Sequence, residues 1–185
     1  MNISADRLVL REFTPLDLDD LARVLADPQV MHFSISGPLS KEQAEYMLQK
    51  RILEHYAKHG FGLWAIIDKK DKAFVGFAGL IIQNIDQIEE IELGFRLDPA
   101  YWGKGLATEA AAAICEYAFN QLKIDHLICI IDPKNKRSLN VADRLGMRYW
   151  KDHLFHGTPV HIYLLFKAGL TPNIPIKIKK NQYLA

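Results

Sequence analysis

Residues 92–110 read ELGFRLDPAYWGKGLATEA, and this stretch decides how the fold is interpreted. Apolar and polar residues alternate up to Leu97, which is the period of a strand. Asp98 and Pro99 break the pattern, Gly103 and Gly105 follow, and an alanine-rich helical pattern then begins. Glycine allows positive φ and close approach to a ligand, and the unpaired N–H groups of a first helical turn attract phosphate. The segment therefore predicts either a phosphate-binding loop or a plain tight turn between a strand and a helix.

Two other phosphate-binding motifs do not match this loop. A P-loop requires GxxxxGK[ST], whereas the order here is Lys104, Gly105, Leu106. A dinucleotide fingerprint requires GxGxxG in the first strand–helix unit, whereas this GxG lies deep in the chain and Thr108 stands where the third glycine belongs. A nucleotide-binding protein is therefore disfavoured.

The remaining sequence alternates between strand and helix patterns. Thr14 and Pro15 begin one helix, whose apolar residues we expect in the core: Leu16, Leu18, Leu21, Val24 and Leu25. A capping box from Ser40 to Gln43 begins a second helix, which we expect to end at Gly60. The other predicted elements are helices over 104–121 and 135–145 and strands over 7–13, 61–67, 73–83, 88–97, 127–131, 149–156 and 160–167. This order predicts an α/β fold, a sheet with helices on both faces.

The composition is that of one ordinary globular domain. The 185 residues carry 23 Lys and Arg against 22 Asp and Glu, so the chain lacks the basic excess that a long nucleic acid as partner would require. Cys115 and Cys129 lie in apolar runs without CxxC spacing, which predicts buried thiols, and no metal site is expected. The N-terminus shows no secretory signal, and no apolar run approaches the ~20 residues of a membrane span. We therefore expect a cytoplasmic protein with no membrane partner.

A second motif, NKRSLNVADRLGM over residues 135–147, follows a short apolar strand pattern. With YWGKGLATEA it resembles the GNAT superfamily of N-acetyltransferases, and most closely the RimJ/RimL-like branch, whose second element reads NxxSxxVxxxLGF. In the superfamily pattern Q/R-x-x-G-x-G/A, Trp102 takes the Q/R position, Gly105 the central glycine and Ala107 the final small residue; tryptophan departs from the general pattern but is usual in this branch. The resemblance covers about residues 5–167. It implies the GNAT fold, a central mixed, mostly antiparallel sheet, over residues 1–168, with a tail over 169–185 that is partly ordered at most.

The resemblance also implies acetyl-CoA as co-substrate. Its phosphates would rest on the backbone N–H groups of the loop, and its pantetheine arm would pair with the preceding strand. Asn135 would hydrogen-bond the arm or serve as a helix N-cap, and the two roles can coexist. The predicted coenzyme A contacts are Phe95, Arg96, Leu97, Trp102, Gly103, Lys104, Gly105, Leu106, Ala107, Thr108, Asn135 and Ser138.

The resemblance places a catalytic base at Glu92, because the superfamily often carries a glutamate on this strand that takes the amine proton, commonly through water. Strand alternation puts Glu90 on the same face and Glu89 on the other. The alternative interpretation of Glu92 is a solvated carboxylate at a sheet edge. Three histidines are the backup bases, because imidazole is a common proton acceptor in catalysis: His32, His153 and His156.

The position of the general acid departs from the superfamily. Many members place a tyrosine seven residues after the motif asparagine, where this chain has Ala142. Ser138 carries the hydroxyl that is typical of the branch. A serine is a poor general acid, so we expect Ser138 to donate a hydrogen bond to the departing thiolate.

The predicted reaction is acetyl transfer from acetyl-CoA to a primary amine by direct attack in a ternary complex. The acceptor is either a protein N-terminal α-amine of the ribosomal-protein type or a small amine such as a polyamine or an antibiotic. A catalytically silent acyl-CoA-binding module is the other class, and the presence of both Glu92 and Ser138 favours chemistry. We expect acceptor specificity from residues 29–39 and 151–161. The oligomeric state, monomer or homodimer, stays open.

Overall fold

The computed structural model describes residues 2–169 of the chain. Apart from Gly169, the predicted tail lies outside the described residues, and the domain boundary at residue 168 stays a prediction. The described strands are β1 Asn2–Ser4, β2 Leu8–Glu12, β3 Leu63–Asp68, β4 Phe74–Ile85, β5 Ile88–Leu97, β6 His126–Ile131, β7 Arg148–Phe155 and β8 Thr158–Phe166. The described helices are α1 Leu18–Ala26, α2 Lys41–Tyr46, α3 Glu54–His59, α4 Leu106–Asn120 and α5 Lys136–Arg144, with a π-helical segment Met47–Leu53 joining α2 to α3.

The described strands form one sheet in the order β1-β2-β3-β4-β5-β6-β8-β7. Every neighbouring pair is antiparallel except β5 and β6, which are parallel. The short strand β1, which the sequence pattern did not predict, adds to the edge of β2. The mixed, mostly antiparallel sheet is confirmed.

Helices cover both faces of the sheet, as predicted. On one face α4 and α5 bury Leu106, Ile114 and Val141 against sheet residues such as Leu93 and Leu97. On the other face α1, the π-helical segment and their neighbours bury residues such as Leu21 and Ile52 against the opposite sides of β3 and β4. Along β5, the residues that alternate with Leu93 and Leu97 therefore point to the face that carries α1 to α3.

The two parallel strands separate soon after they meet. The described pairing between β5 and β6 is a single register position, Glu92 opposite Ile128. Beyond it, β5 stays paired on its other edge to β4 as far as Leu97, and β6 stays paired to β8 as far as Ile131. The carboxyl halves of β5 and β6 thus form a fork with free backbone edges facing each other, and this fork positions the site.

Local signals placed most helix ends correctly. The Ser40 capping box is present, with the Gln43 N–H donating to Ser40 Oγ (3.3 Å) and the Ser40 N–H donating to Gln43 Oε1 (2.8 Å). Gly60 ends α3 with a positive φ of 73°. The expectation that Leu16 lies in the core was wrong, because residues 15–17 form a separate 3₁₀ turn that leaves Leu16 93% exposed.

Within residues 2–169, no helix has both the length and the apolar character needed to span a membrane. Cys115 and Cys129 are buried free thiols, as predicted.

Candidate active site

A cavity of about 370 Å³ occupies the fork between β5 and β6. Its wall combines the end of β5, the glycine loop, the first turn of α4, the end of β6 and one side of α5. Residues from the connection between α1 and α2 line it as well: Gln29, Val30, Phe33 and Ser34. The predicted coenzyme A residues line this cavity with the exception of Lys104, whose Nζ lies 5.2 Å from the centroid of the Tyr101 ring.

The glycine loop opens directly onto the N-terminus of α4. Gly103 and Gly105 have positive φ values of 75° and 76°, and a Cβ at Gly103 would meet no heavy atom within 4 Å. The first carbonyl of the helical ladder, Gly105 O, accepts from the Glu109 N–H at 3.1 Å. The preceding N–H groups of Leu106, Ala107 and Thr108 belong to the first turn, where an α-helix supplies no carbonyl partner. Open space in front of these amides fits a phosphate group.

Two contacts hold this loop in place. The Trp102 indole N–H donates to the Leu97 carbonyl at 2.8 Å, which folds the loop back onto the end of β5. Arg7, the residue just before β2, donates from Nη1 to the Lys104 carbonyl at 2.9 Å and from Nε to Glu109 Oε2 at 2.6 Å. The loop is thus tied both to the strand before it and to the helix after it, although Arg7 is 97 positions away from Lys104 in the chain.

The beginning of α5 forms the opposite wall. Asn135 caps the helix, with its Oδ1 accepting the Ser138 N–H at 3.1 Å, so the N-cap interpretation of Asn135 is confirmed. Both residues also line the cavity. Arg137 Cζ lies 4.1 Å from the centroid of the Trp102 ring, which places a cation beside the glycine loop. Arg144, two turns further along α5, lines the same wall.

These features fit coenzyme A. A polyphosphate can accept hydrogen bonds from the first-turn amides of α4, beside the Arg137 guanidinium. An arm that carries amide groups can hydrogen-bond backbone groups of residues 93–97 and 129–131 that have no partner strand, as an added strand does at a sheet edge; the Leu93 and Leu97 carbonyls already accept from Cys129 Sγ and Trp102 Nε1. Cys129 Sγ donates to the Leu93 carbonyl at 3.1 Å inside the fork, and burial raises the pKa of this thiol well above its ordinary value, so it is a neutral thiol.

Glu92 lies at the point where the fork opens. Its carboxylate lines the cavity and accepts a hydrogen bond from Gln83 Nε2 at 2.7 Å. Burial raises the pKa of Glu92, while the Gln83 hydrogen bond and the charge of Arg96 act in the opposite direction. A carboxylate with a raised pKa inside a cavity is the environment that suits a general base.

Glu90, on the same face as Glu92, joins two strands and does not line the cavity. It is 5% exposed and accepts a hydrogen bond from His126 Nε2 at 2.6 Å, which joins β5 to β6 just before the fork. Among residues 2–169, the cavity wall includes none of the backup bases His32, His153 and His156. His153 lies instead near the turn of the β4–β5 hairpin, with Nδ1 3.7 Å from Asp86 Oδ1.

The two regions expected to set acceptor specificity are separated in space. Residues 29–34 line the cavity, whereas residues 151–161 border a different depression, beside Asp86.

Ala142, where many superfamily members carry tyrosine, is 1% exposed and packs in the core, so the position has no room for a tyrosine ring. The described residues contain no group of three His, Cys, Asp or Glu side chains that could hold a metal ion.

Sequence reasoning missed the partners that arrive from elsewhere in the chain. The hydrogen bond between Gln83 and Glu92 joins residues 9 positions apart. The separation is 102 positions for Arg7 and Glu109, and 62 positions for Ser34 and Arg96. No local pattern marks such pairs. Knowledge of the β4–β5 register would have identified Gln83, because Gln83 pairs with Glu90 and so shares the face of Glu92.

Comparison with known proteins agrees with this geometry. Residues 7–148 match the family model described as "Acetyltransferase (GNAT) domain". YkkB of Bacillus subtilis (strain 168) is 33% identical over 159 residues, which cover 85% of this chain and 91% of that protein. The spermidine N(1)-acetyltransferase of Escherichia coli (strain K12) is 27% identical over 150 residues, 77% of this chain and 74% of that protein.

Solved structures share the fold along nearly the whole chain. A GNAT-family acetyltransferase from Bacillus anthracis is 26% identical, with a TM-score of 0.76 and coverage of 90% of this chain and 98% of that one. RimL, a ribosomal L7/L12 alpha-N-protein acetyltransferase solved with coenzyme A, is 20% identical, with a TM-score of 0.75 and coverage of 90% and 98%. The family match, the fold and the fork with its glycine loop agree with one another. The chain belongs to the GNAT acetyltransferase family and is an acyltransferase that uses acetyl-CoA.

Proposed function

We propose that the enzyme transfers the acetyl group of acetyl-CoA to the α-amine of a peptide N-terminus, by direct attack within a ternary complex. The observation that carries the proposal is the Glu92 carboxylate in the cavity, hydrogen-bonded by Gln83 where the fork opens. Acetyl-CoA supplies the activated acetyl thioester. A C–N bond forms to the amine, the C–S bond breaks, and the amine proton must leave.

Glu92 takes that proton, directly or through a water. The pKa of an α-amine is about 7.7–8.0 and that of a lysine side chain is about 10.4, so an α-ammonium group gives its proton to a carboxylate more readily. Because burial raises the pKa of Glu92, the difference between the pKa of this carboxylate and that of an α-amine becomes smaller. This match favours an α-amine over a more basic alkylamine.

The remaining residues bind and orient. The first-turn amides of α4 and Arg137 hold the phosphates, and the edges of β5 and β6 hold the arm. Holding two reactants in position can lower the activation barrier by on the order of 7–11 kcal/mol, so the enzyme needs only moderate acid and base catalysis. Ser138, whose backbone N–H is fixed by Asn135, lines the cavity, and its hydroxyl group would donate a hydrogen bond to the departing sulfur.

A small amine is the second candidate acceptor, and the 27% identity to a spermidine N(1)-acetyltransferase favours it. An acceptor panel separates the two. Free-thiol release from acetyl-CoA is measured with short peptides that have free or blocked N-termini, and with spermidine. Faster release with free N-termini than with spermidine supports the proposal. Thiol release with spermidine alone shows that the acceptor is a small amine and not a peptide N-terminus. Binding of acetyl-CoA without thiol release on any acceptor contradicts catalysis.

A further inference from the structure

The cavity contains a second charged group on the face of Glu92, the guanidinium of Arg96. Both residues line the cavity, and both point to the face that carries α1 to α3, away from α4 and its phosphate-binding amides. Arg96 Cζ lies 5.9 Å from the centroid of the Phe77 ring, which belongs to the core of that same face. The Arg96 side chain therefore lies on the other face of the sheet from α4.

The guanidinium has spare hydrogen-bonding capacity. Arginine has five N–H donors and stays charged at neutral pH. Within residues 2–169, Arg96 donates one hydrogen bond, from Nη2 to Ser34 Oγ at 3.3 Å. Burial lowers the pKa of Arg96, as expected for a cation removed from water, and the charge of Glu92 opposes this effect. A desolvated cation with free donors beside a cavity is a site for an anion.

The acid and the cation are held apart along β5. Four residues of strand place their Cα atoms about 13 Å from each other, and above Gly94, between them, the nearest side-chain atom is Ile81 Cδ1, 3.6 Å from the position that a Cβ would take. Gln83 pairs with Glu90, so its hydrogen bond draws the Glu92 carboxylate towards the Glu90 end of the strand. Ser34 holds Arg96 at the other end.

We infer that the acceptor carries a carboxylate as well as an amine, and that Arg96 binds the carboxylate while Glu92 receives the amine proton. This inference rests on the proposed function and narrows its substrate class. A peptide with an acidic side chain among its first three residues offers both groups.

Paired peptides test the inference. Each pair differs only by Glu against Gln at position one, two or three, as in Ser-Ala-Glu-Ala amide and Ser-Ala-Gln-Ala amide. For at least one position, wild-type kcat/KM should be about tenfold or more higher with the acidic peptide, because hydrogen bonds to charged groups are the strong ones. Equal rates within every pair overturn the inference.

Two variants separate a binding role from a structural one. Arg96→Gln should lower the ratio of kcat/KM with the acidic peptide to kcat/KM with its neutral partner to about one, whatever its effect on the rate with the neutral peptide. Ser34→Ala removes the hydrogen bond to Arg96 but keeps the charge, so the preference should persist. If Arg96→Gln slows both peptides equally, and Ser34→Ala does the same, Arg96 only anchors the connection between α1 and α2, and the inference is wrong.

Failure of the proposed function gives a different result. If wild type acetylates no peptide of either kind, α-amine transfer is wrong, and the anion site is then tested by binding alone. The thermal stability of the coenzyme A-loaded protein is measured with each peptide. A larger shift with the acidic peptide that disappears in Arg96→Gln supports the site, and equal shifts overturn it.

Discussion

Arg7 forms two hydrogen bonds with Glu109: its backbone N–H donates to Oε1 and its Nε donates to Oε2, each at 2.6 Å. Glu109 lies in the first turn of α4 and Arg7 precedes β2, so the pair connects the sheet to the helix that begins at the glycine loop. Arg7 also donates to the Lys104 carbonyl at 2.9 Å. One residue near the N-terminus thus holds the backbone on which the phosphates would rest.

Glu109→Gln should therefore weaken acetyl-CoA binding more than it destabilises the fold. The Arg7 side chain is 52% exposed, and exposed ion pairs contribute only about 0–1 kcal/mol to stability. We expect a severalfold rise in Kd for acetyl-CoA, measured by titration calorimetry, with a thermal midpoint close to wild type. Lys50→Gln, which removes an exposed ion pair on the π-helical segment, is the control and should leave Kd unchanged.

Gly105→Val should reduce acetyl-CoA affinity through the backbone. A Cβ at Gly105 meets only Arg7 Nη2, at an ordinary 3.7 Å, so protein crowding is not the cause. The cause is the positive φ of 76°, which costs a residue with a side chain about 1–2 kcal/mol and so favours another orientation of the first-turn amides. Gly60→Val imposes the same strain at a φ of 73°, far from the cavity. It should lose similar stability in urea unfolding yet bind acetyl-CoA normally, and equal affinity in the two variants would refute the loop assignment.

Glu92→Gln should lower kcat by about 10²–10⁴-fold, the usual contribution of a general base, with little change in acetyl-CoA affinity. In wild type, kcat should fall as pH drops through the pKa of Glu92, which burial raises above the ordinary 4.5, because the protonated form cannot accept the amine proton. That acidic limb should vanish in the variant. Glu89→Gln, which changes an exposed carboxylate on the opposite face of the same strand, is the matched control. Unchanged turnover in Glu92→Gln would remove this residue from the mechanism.

Ser138→Ala should lower kcat by about two- to tenfold, the value of one ordinary hydrogen bond to the leaving sulfur. The α5 cap uses the backbone N–H of Ser138, so the variant keeps the helix. Single-turnover measurements should show the loss in the chemical step. If an acetyl donor with a better thiolate leaving group restores the wild-type rate in Ser138→Ala, thiolate departure is the step that Ser138 assists. If the rate of the chemical step is unchanged in the variant, Ser138 does not take part in it.

Asp17→Asn should remove part of the stability that the fold has above acidic pH. Burial opposes ionisation of Asp17, but hydrogen bonds from Arg11 at 2.8 and 2.6 Å and from Thr14 outweigh it and lower the pKa below the ordinary 3.8. A depressed carboxyl pKa stabilises the fold above the unfolded value, and this stability is lost as pH falls through the folded value. The variant should lose about 1.5–3 kcal/mol at pH 7 and depend less on pH below 4. Asp19→Asn, whose side chain is 86% exposed, should change neither.

Much of the fold could be predicted because its signals are local. The Ser40 capping box, the Gly60 terminus and the strand that ends at Leu97 depend on residues within a few positions of each other. Leu16 shows where such reasoning fails. Helical period placed it in the core, but Thr14 and Asp17 close their own 3₁₀ turn, and helix α1 begins at Leu18, two residues after Leu16, which stays exposed.

The site divides in the same way. The glycine loop, the Asn135 cap and the strand face of Glu92 follow from local chemistry and alternation, and the resemblance of the two motifs to GNAT proteins predicted the family and acetyl-CoA. Three relationships appear only in the folded chain: β5 and β6 part after Glu92 and Ile128, Gln83 hydrogen-bonds the carboxylate, and Ser34 hydrogen-bonds Arg96 in the same cavity. A strand's period sets which face a side chain takes, whereas its partners depend on register and packing between segments that are distant along the chain.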